Sequence, residues 1–127
     1  MDYMKLIEAA NKIKNNSYSP YSNFKVGAAV RTNDGSIFLG TNIENASFGA
    51  TICAERVALF SAVSSGKKDI SEIAIISDKD NIIFPCGICR QVMSEFTNDK
   101  TIIICSNKKM IYEVYKLKDL LPKTFDF

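Results

Sequence analysis

Two short cysteine segments constrain this chain more than any other feature. Residues 51–56 contain Cys53, and residues 85–91 contain Cys86 and Cys89. Cys86 and Cys89 are three positions apart on the first turn of a predicted helix, so both thiols face one way and can chelate one ion. Cys53, at the start of the preceding predicted helix, supplies a third thiolate. Three protein ligands leave the fourth tetrahedral position of zinc to water, which is typical of a catalytic site.

The chain contains no histidine. Neither a Ser-His-Asp or Cys-His nucleophilic site nor a histidine metal site can be built from it. Any general base must therefore be a carboxylate, a lysine, a tyrosine or a bound hydroxide. Glu55 is two residues from Cys53, and residues at a helix end can surround a pocket off the terminus. Glu55 is thus a candidate proton shuttle.

Two arginines each follow a cysteine motif by one residue, Arg56 and Arg90. Three thiolates around a zinc ion leave one net negative charge, which weakens the activation of bound water. In a lysine-rich chain, arginine at these positions indicates hydrogen-bonding forks near sulfur or carboxylate.

Composition limits the class of protein. A length of 127 residues fits one domain, and 46% hydrophobic with 24% charged residues is ordinary globular usage. The apolar runs are shorter than the ~18 residues of a membrane-spanning helix. The N-terminus carries no signal-peptide pattern, so we expect a cytoplasmic protein without a membrane partner, whose cysteines are not in disulfides. A net charge of +2, without a basic stripe, predicts no nucleic-acid partner.

Periodicity and turn signals predict the element order αββαβαββα. The strand-helix-strand unit over 70–106 is expected to be a right-handed parallel crossover. We therefore predict an α/β fold, a three-layer α-β-α arrangement with a five-stranded mixed sheet. Predicted helices span 2–15, 53–65 and Pro85 to about Phe96, and predicted strands span 24–32, 36–43, 70–77, 101–106 and 110–115, with the tail beyond 120 packing on the body.

Alternation along the first two strands predicts which side chains share a face. Alternate residues from Phe24 to Val30 lie on one side, and Asn42 and Glu44 project together beyond the end of the second strand. Taken alone, Phe24 is more typical of a core residue than of a stacking platform, and Asn42 and Glu44 are more typical of a solvated strand end than of a binding site.

The motifs resemble those of the small homotetrameric cytidine deaminases. Nucleobase zinc deaminases carry His or Cys, one residue and Glu, followed later by Pro-Cys-x-x-Cys, and this chain has the three-cysteine version. The resemblance implies that residues 1–127 form a single cytidine deaminase domain with the cytidine deaminase-like fold. Similar stretches cover nearly the whole chain: 19–29, 40–47, 51–56, 85–91 and 120–122.

The resemblance also implies roles for the residues of the metal site. Cys53, Cys86 and Cys89 would bind one zinc ion per subunit. Glu55 would transfer protons, and Arg56 would donate hydrogen bonds to ligand sulfurs.

For the substrate, the resemblance implies that Asn42 and Glu44 hold the ribose hydroxyls. Phe24 would stack near the pyrimidine, and the backbone around Ala54 would read the base. Phe125 would come from the tail of a neighbouring subunit to help close a pocket that subunits share.

The implied reaction is hydrolytic deamination of free cytidine and 2'-deoxycytidine to uridine and 2'-deoxyuridine, with release of ammonia, in pyrimidine salvage. The small-molecule nucleoside would be attacked at C4 while Glu55 protonates N3 and then the departing amine. Where many members carry tyrosine, this chain has Phe48, so a hydroxyl that could meet the sugar is absent.

Three alternatives remain open from the sequence. Cys105 could be the fourth ligand of a structural zinc module, although its apolar context favours a buried core residue. The substrate could instead be a base in a polynucleotide or a cytosine-containing antibiotic.

Overall fold

A five-stranded mixed sheet forms the centre of the molecule. The structure is a computed structural model and describes residues 2–127. Within that range no helix has both the length and the apolar character that crossing a bilayer requires. The elements are α1 Tyr3–Lys14, β1 Val26–Thr32, β2 Ile37–Thr41, α2 Ala54–Ser64, β3 Ile70–Ser77, α3 Gly87–Phe96, β4 Ile102–Ser106, β5 Tyr112–Tyr115 and α4 Leu117–Leu120, with a short 3-10 turn at Phe48–Ala50.

The strands lie in the order β2-β1-β3-β4-β5. β1 pairs antiparallel with both β2 and β3, and β4 pairs antiparallel with β5. Only β3 and β4 are parallel, and α3 makes the crossover between them. This confirms the predicted α/β class and mixed sheet.

Helices cover both faces of the sheet. On one face α1 buries Leu6, Ile7 and Ala10 against residues of the central strands. On the other face the side chains of Val26, Ala28 and Val30 pack with those of α2 and α3, and Phe24 lies against this core. The predicted alternation along β1 is therefore confirmed, because Ala29 lies in the α1 cluster instead.

Gly40 allows α2 to lie very close to β2. A Cβ atom on Gly40 would stand 2.5 Å from the Ala58 nitrogen and 2.6 Å from the Ala54 oxygen. Both of these atoms belong to the α2 backbone, which cannot move aside as a flexible side chain can. The absence of a side chain at Gly40 thus allows the first turns of α2 to lie against β2, and Cys53 is the N-cap of that helix.

The start of α3 differs from its prediction. Pro85 was expected at the first helical position, but the helix begins at Gly87. Cys86 is the N-cap in an extended conformation, and its sulfur accepts a hydrogen bond from the Cys89 N–H. The Cys86 sulfur thus acts as the capping group that Ser or Asp usually provides, and the helix starts two residues later than predicted.

The ends of the other helices and strands agree closely with their predicted positions or differ for local reasons. Asp2 caps α1 as predicted, accepting from the Lys5 N–H, and β3 spans the predicted residues. The last strand starts later than predicted because Met110 adopts a left-handed conformation with φ of 63°, which ends regular strand geometry.

We predict that Gly40→Ala destabilises the protein by about 1–3 kcal/mol, because the added methyl group overpacks the contact between β2 and α2. Urea unfolding measures this change. Gly49→Ala is the matched control, since a Cβ there meets nothing within 4 Å. Equal stability of the two variants would contradict the close approach.

Candidate metal centre and its cavity

Three cysteine sulfurs converge at the ends of two helices. Cys53 caps α2, while Cys86 caps α3 and Cys89 lies in its first turn. The three Sγ atoms lie within 4.8 Å of one another, and those of Cys53 and Cys86 are 3.6 Å apart. Tetrahedral Zn–S bonds of about 2.3 Å place two sulfurs about 3.8 Å apart. The spacing therefore fits one zinc ion.

The surroundings of Cys53 stabilise negative charge on its sulfur, whereas the hydrogen bond with Cys53, together with burial, raises the pKa of Cys89. The Arg56 Nη2 lies 3.6 Å from Cys53 Sγ, and the Cys89 N–H donates to Cys86 Sγ at 3.5 Å. A hydrogen bond with Cys89, assisted by Arg56, lowers the pKa of Cys53 to about 5. The positive ends of α2 and α3 point at the same place, which also favours thiolate.

Glu55 lies in the first turn of α2 and is only 5% exposed. Burial raises its pKa to about 7, and the nearby negative charge of Cys53 acts in the same direction. A carboxyl group that titrates near neutral pH can both accept and donate protons there. Glu55 and the sulfur of Cys53 face one cavity.

The cavity beside the sulfurs has a volume of about 540 Å³, within the usual range of small-molecule sites. Its described lining contains two glutamates and no lysine or arginine. Every substrate residue predicted within one subunit lies there: Phe24, Asn42, Glu44 and Ala54. Sequence reasoning missed Thr51, Ile52, Ile83 and Phe84, which also line it. Ile83 and Phe84 directly precede the second cysteine motif, and that adjacency was the available signal.

The Asn42 side chain is held in a fixed orientation by protein groups. Its Oδ1 accepts from the Val26 N–H at 3.0 Å and from the Ser17 hydroxyl. Its Nδ2 donates to the Phe24 carbonyl at 2.6 Å. One amide N–H is left over for a ligand, because a carboxamide carries two.

Glu44 is fixed by the loop that precedes β1. Its Oε1 accepts from the N–H groups of Tyr21 and Ser22 at 2.9 and 3.1 Å, and its Oε2 accepts from the Ser22 hydroxyl. The Ser22 hydrogen bond lowers the pKa of Glu44, so the group is a carboxylate. Of about four lone-pair sites on a carboxylate, one remains for a ligand hydroxyl.

Phe125 lies away from the cavity of its own chain. Its carbonyl accepts from Gln91 Nε2 at 3.1 Å, and its ring is 66% exposed. Phe48 is also exposed, and its ring lies edge-on to that of Tyr21.

The predictions for Arg90 and Cys105 have different outcomes in the structure. Arg90 was expected to donate hydrogen bonds near sulfur or carboxylate, but its guanidinium donates to the backbone carbonyls of Pro85 and Leu120. Cys105 is fully buried in the core beneath α2 and α3. Among residues 2–127, the cysteines that could hold a metal ion together are Cys53, Cys86 and Cys89, and Cys105 is not part of this group.

Comparison with known proteins agrees with this geometry. Residues 1–106 match the family described as the cytidine and deoxycytidylate deaminase zinc-binding region. A cytidine deaminase from Halalkalibacterium halodurans is 44% identical over 125 residues, 98% of this chain and 95% of that protein. The crystal structure of a cytidine deaminase from Burkholderia pseudomallei superposes with a TM-score of 0.94 at 46% identity, covering 98% of this chain and all of that one.

A more distant relative has another named substrate. A blasticidin-S deaminase from Bacillus cereus is 35% identical over 105 residues, which is 76% of this chain and 74% of that protein. Together the matched region and the fold define a zinc-binding deaminase. The chain belongs to the cytidine deaminase family. The predicted resemblance and the predicted zinc cofactor are thereby confirmed.

We predict that Cys105→Ala retains one zinc ion per chain, since its thiol belongs to the core. Cys89→Ala is the matched variant within the sulfur cluster and is expected to lose most of the metal. Zinc in dialysed protein can be counted by atomic emission. Loss of zinc from Cys105→Ala would support the structural four-cysteine alternative.

Proposed function

We propose that this protein hydrolytically deaminates free cytidine and 2'-deoxycytidine to uridine and 2'-deoxyuridine, releasing ammonia, in a zinc-dependent reaction. Pyrimidine salvage is the corresponding physiological role. Four free cysteines support a reducing, cytoplasmic location.

One observation carries the proposal. The buried carboxyl group of Glu55 lines the same cavity as Cys53 and Cys86, so a proton carrier and the candidate ligands of a metal face one small-molecule site. A purely structural zinc site has four protein ligands and needs neither the cavity nor the acid. The similarity to cytidine deaminases over 98% of the chain supports cytidine as the substrate.

The reaction follows from the roles of the chain's own groups. When bound, zinc supplies the Lewis acidity that makes water a nucleophile near neutral pH. Glu55 accepts the proton that the attacking water loses and donates it to N3 of the ring. It then transfers a second proton, from the hydroxyl group now on C4, to the amino group on C4, which leaves as ammonia. A carboxyl pKa of about 7 suits both directions of transfer.

The substrate is oriented by groups around the cavity. Glu44 would accept from a ribose hydroxyl with its remaining lone pair, and Asn42 would donate its remaining amide N–H. The ring of Phe24 would lie against the pyrimidine, and the backbone at Ala54 would read its polar edge. Each of these residues lines the cavity.

Charge favours a nucleoside over a phosphorylated or polymeric substrate. The residues that line the cavity include two glutamates and no lysine or arginine, so a phosphate there would face carboxylate charge. A net charge of +2 is also small for binding a polynucleotide backbone.

We further propose a homotetramer in which subunits share pockets. Phe125 and Phe48 are largely exposed, as is Ile88 beside the metal centre at 62%. Large exposed side chains of this kind commonly mark interfaces. In this arrangement Phe125 would reach the cavity of a neighbouring subunit.

Deamination of a cytosine-containing antibiotic is the second candidate, favoured by the relative named blasticidin-S deaminase. The same zinc and glutamate chemistry would serve it. Cytidine is preferred because two relatives named cytidine deaminase match at 44% and 42% identity over 98% of this chain, whereas the blasticidin-S deaminase matches at 35% over 76%.

Replacement of the proton carrier tests the mechanism. We predict that Glu55→Ala retains zinc and lowers kcat for cytidine by at least about 10²–10⁴-fold, since Glu55 is the group proposed to transfer protons at the ring. Glu95→Ala, which removes an exposed carboxylate on α3, serves as control. Turnover of the Glu55 variant close to that of the control would refute the assignment.

A further inference from the structure

Arg90 makes two short hydrogen bonds that bridge the metal centre and the C-terminal part of the chain. Its Nε donates to the Pro85 carbonyl at 2.7 Å, and its Nη1 donates to the Leu120 carbonyl at 2.6 Å. Pro85 immediately precedes the ligand Cys86, and Leu120 is the last residue of α4. Arg90 itself follows the ligand Cys89.

Both acceptors need a partner that the backbone does not provide. Pro85 is buried and precedes the cap of α3, so its carbonyl is outside the hydrogen-bond ladder of the helix. The Leu120 carbonyl is among the final carbonyls of α4, which have no intrahelical partner. A guanidinium donates in several directions from one rigid plane, so a single side chain can satisfy both.

The two hydrogen bonds of Arg90 affect the position of Cys86, the most exposed of the three cysteine ligands. Cys86 is exposed, whereas Cys89 is buried and Cys53 is intermediate. Its sulfur is positioned by the Cys89 N–H on one side and by the Pro85–Cys86 peptide on the other. The Arg90 bond to Pro85 fixes the orientation of that peptide, and α4 holds the guanidinium in place from the opposite end.

We propose that Arg90 is a positioning residue for the metal centre: it holds the Pro85–Cys86 turn so that the Cys86 sulfur stays directed at the ion, with α4 as its second anchor. Arg90 does not line the substrate cavity. Its action is therefore on metal retention, and not on contact with the nucleoside.

The test compares zinc release from zinc-loaded wild type, Arg90→Met and Arg90→Lys. Each protein is mixed with excess chromogenic chelator at a temperature where circular dichroism shows it folded. Supporting groups around metal ligands typically change affinity by about 10–100-fold, and we expect about tenfold faster release from Arg90→Met. Arg90→Lys is expected to fall between, because an ammonium group can serve one of the two carbonyls.

Lys116→Met is the matched control. Lys116 Nζ donates to the Asp99 carbonyl at 2.7 Å and so fastens the start of α4, away from the sulfurs. This variant loses the hydrogen bond from the Lys116 ammonium to the Asp99 carbonyl but keeps both hydrogen bonds of Arg90. Its zinc release is therefore expected to match that of the wild type. Release from Arg90→Met no faster than from Lys116→Met would overturn the proposal. Should Arg90→Met not fold, wild-type release from Arg90→Lys would overturn it equally.

Steady-state kinetics adds a second readout. At limiting zinc, kcat of Arg90→Met for cytidine should fall while KM stays constant, and excess zinc should restore kcat. A raised KM that zinc does not correct would contradict a role in metal retention. Absence of cytidine turnover in the wild type would refute the proposed function, whereas the release rates would still decide the role of Arg90.

Discussion

The concentration of negative charge at three neighbouring sulfurs is the constraint on which the rest of the site depends. Thiolates this close repel one another unless a cation and suitable dipoles surround them. The chain supplies the N-termini of α2 and α3 and the guanidinium of Arg56, and a bound zinc ion would add its own positive charge. The buried Glu55 beside them gains a raised pKa from the same burial and charge that the sulfurs experience.

The sheet brings the N-termini of α2 and α3 together at the site. Gly40 lets α2 lie against β2, which places Cys53 and Glu55 at the mouth of the cavity. The parallel pair β3 and β4 requires a crossover, and α3 provides it with Cys86 and Cys89 at its start. The site thus lies where two helices begin, and its ligands belong to rigid elements.

The fold and the metal ligands were predictable because their signals are local. Turn residues, alternation and cysteine spacing depend on near neighbours, and the element order and mixed sheet follow from them. The start of α3 was mispredicted because Pro85 is a common first helical residue, whereas a cysteine sulfur is an unusual cap. The contact of Arg90 with Leu120 joins residues 30 positions apart, which a local pattern does not encode, whereas Ile83 and Phe84 could have been found from their position beside the second cysteine motif.

Ammonia release by purified protein shows whether Glu55 and a bound metal together deaminate a free cytosine nucleoside. Cytidine, 2'-deoxycytidine and CMP are each incubated with protein as purified, after chelation, and after zinc is returned. We expect turnover of both nucleosides, little turnover of CMP, loss of activity with chelator and recovery with zinc. Absence of chelator-sensitive turnover of either nucleoside would contradict this expectation.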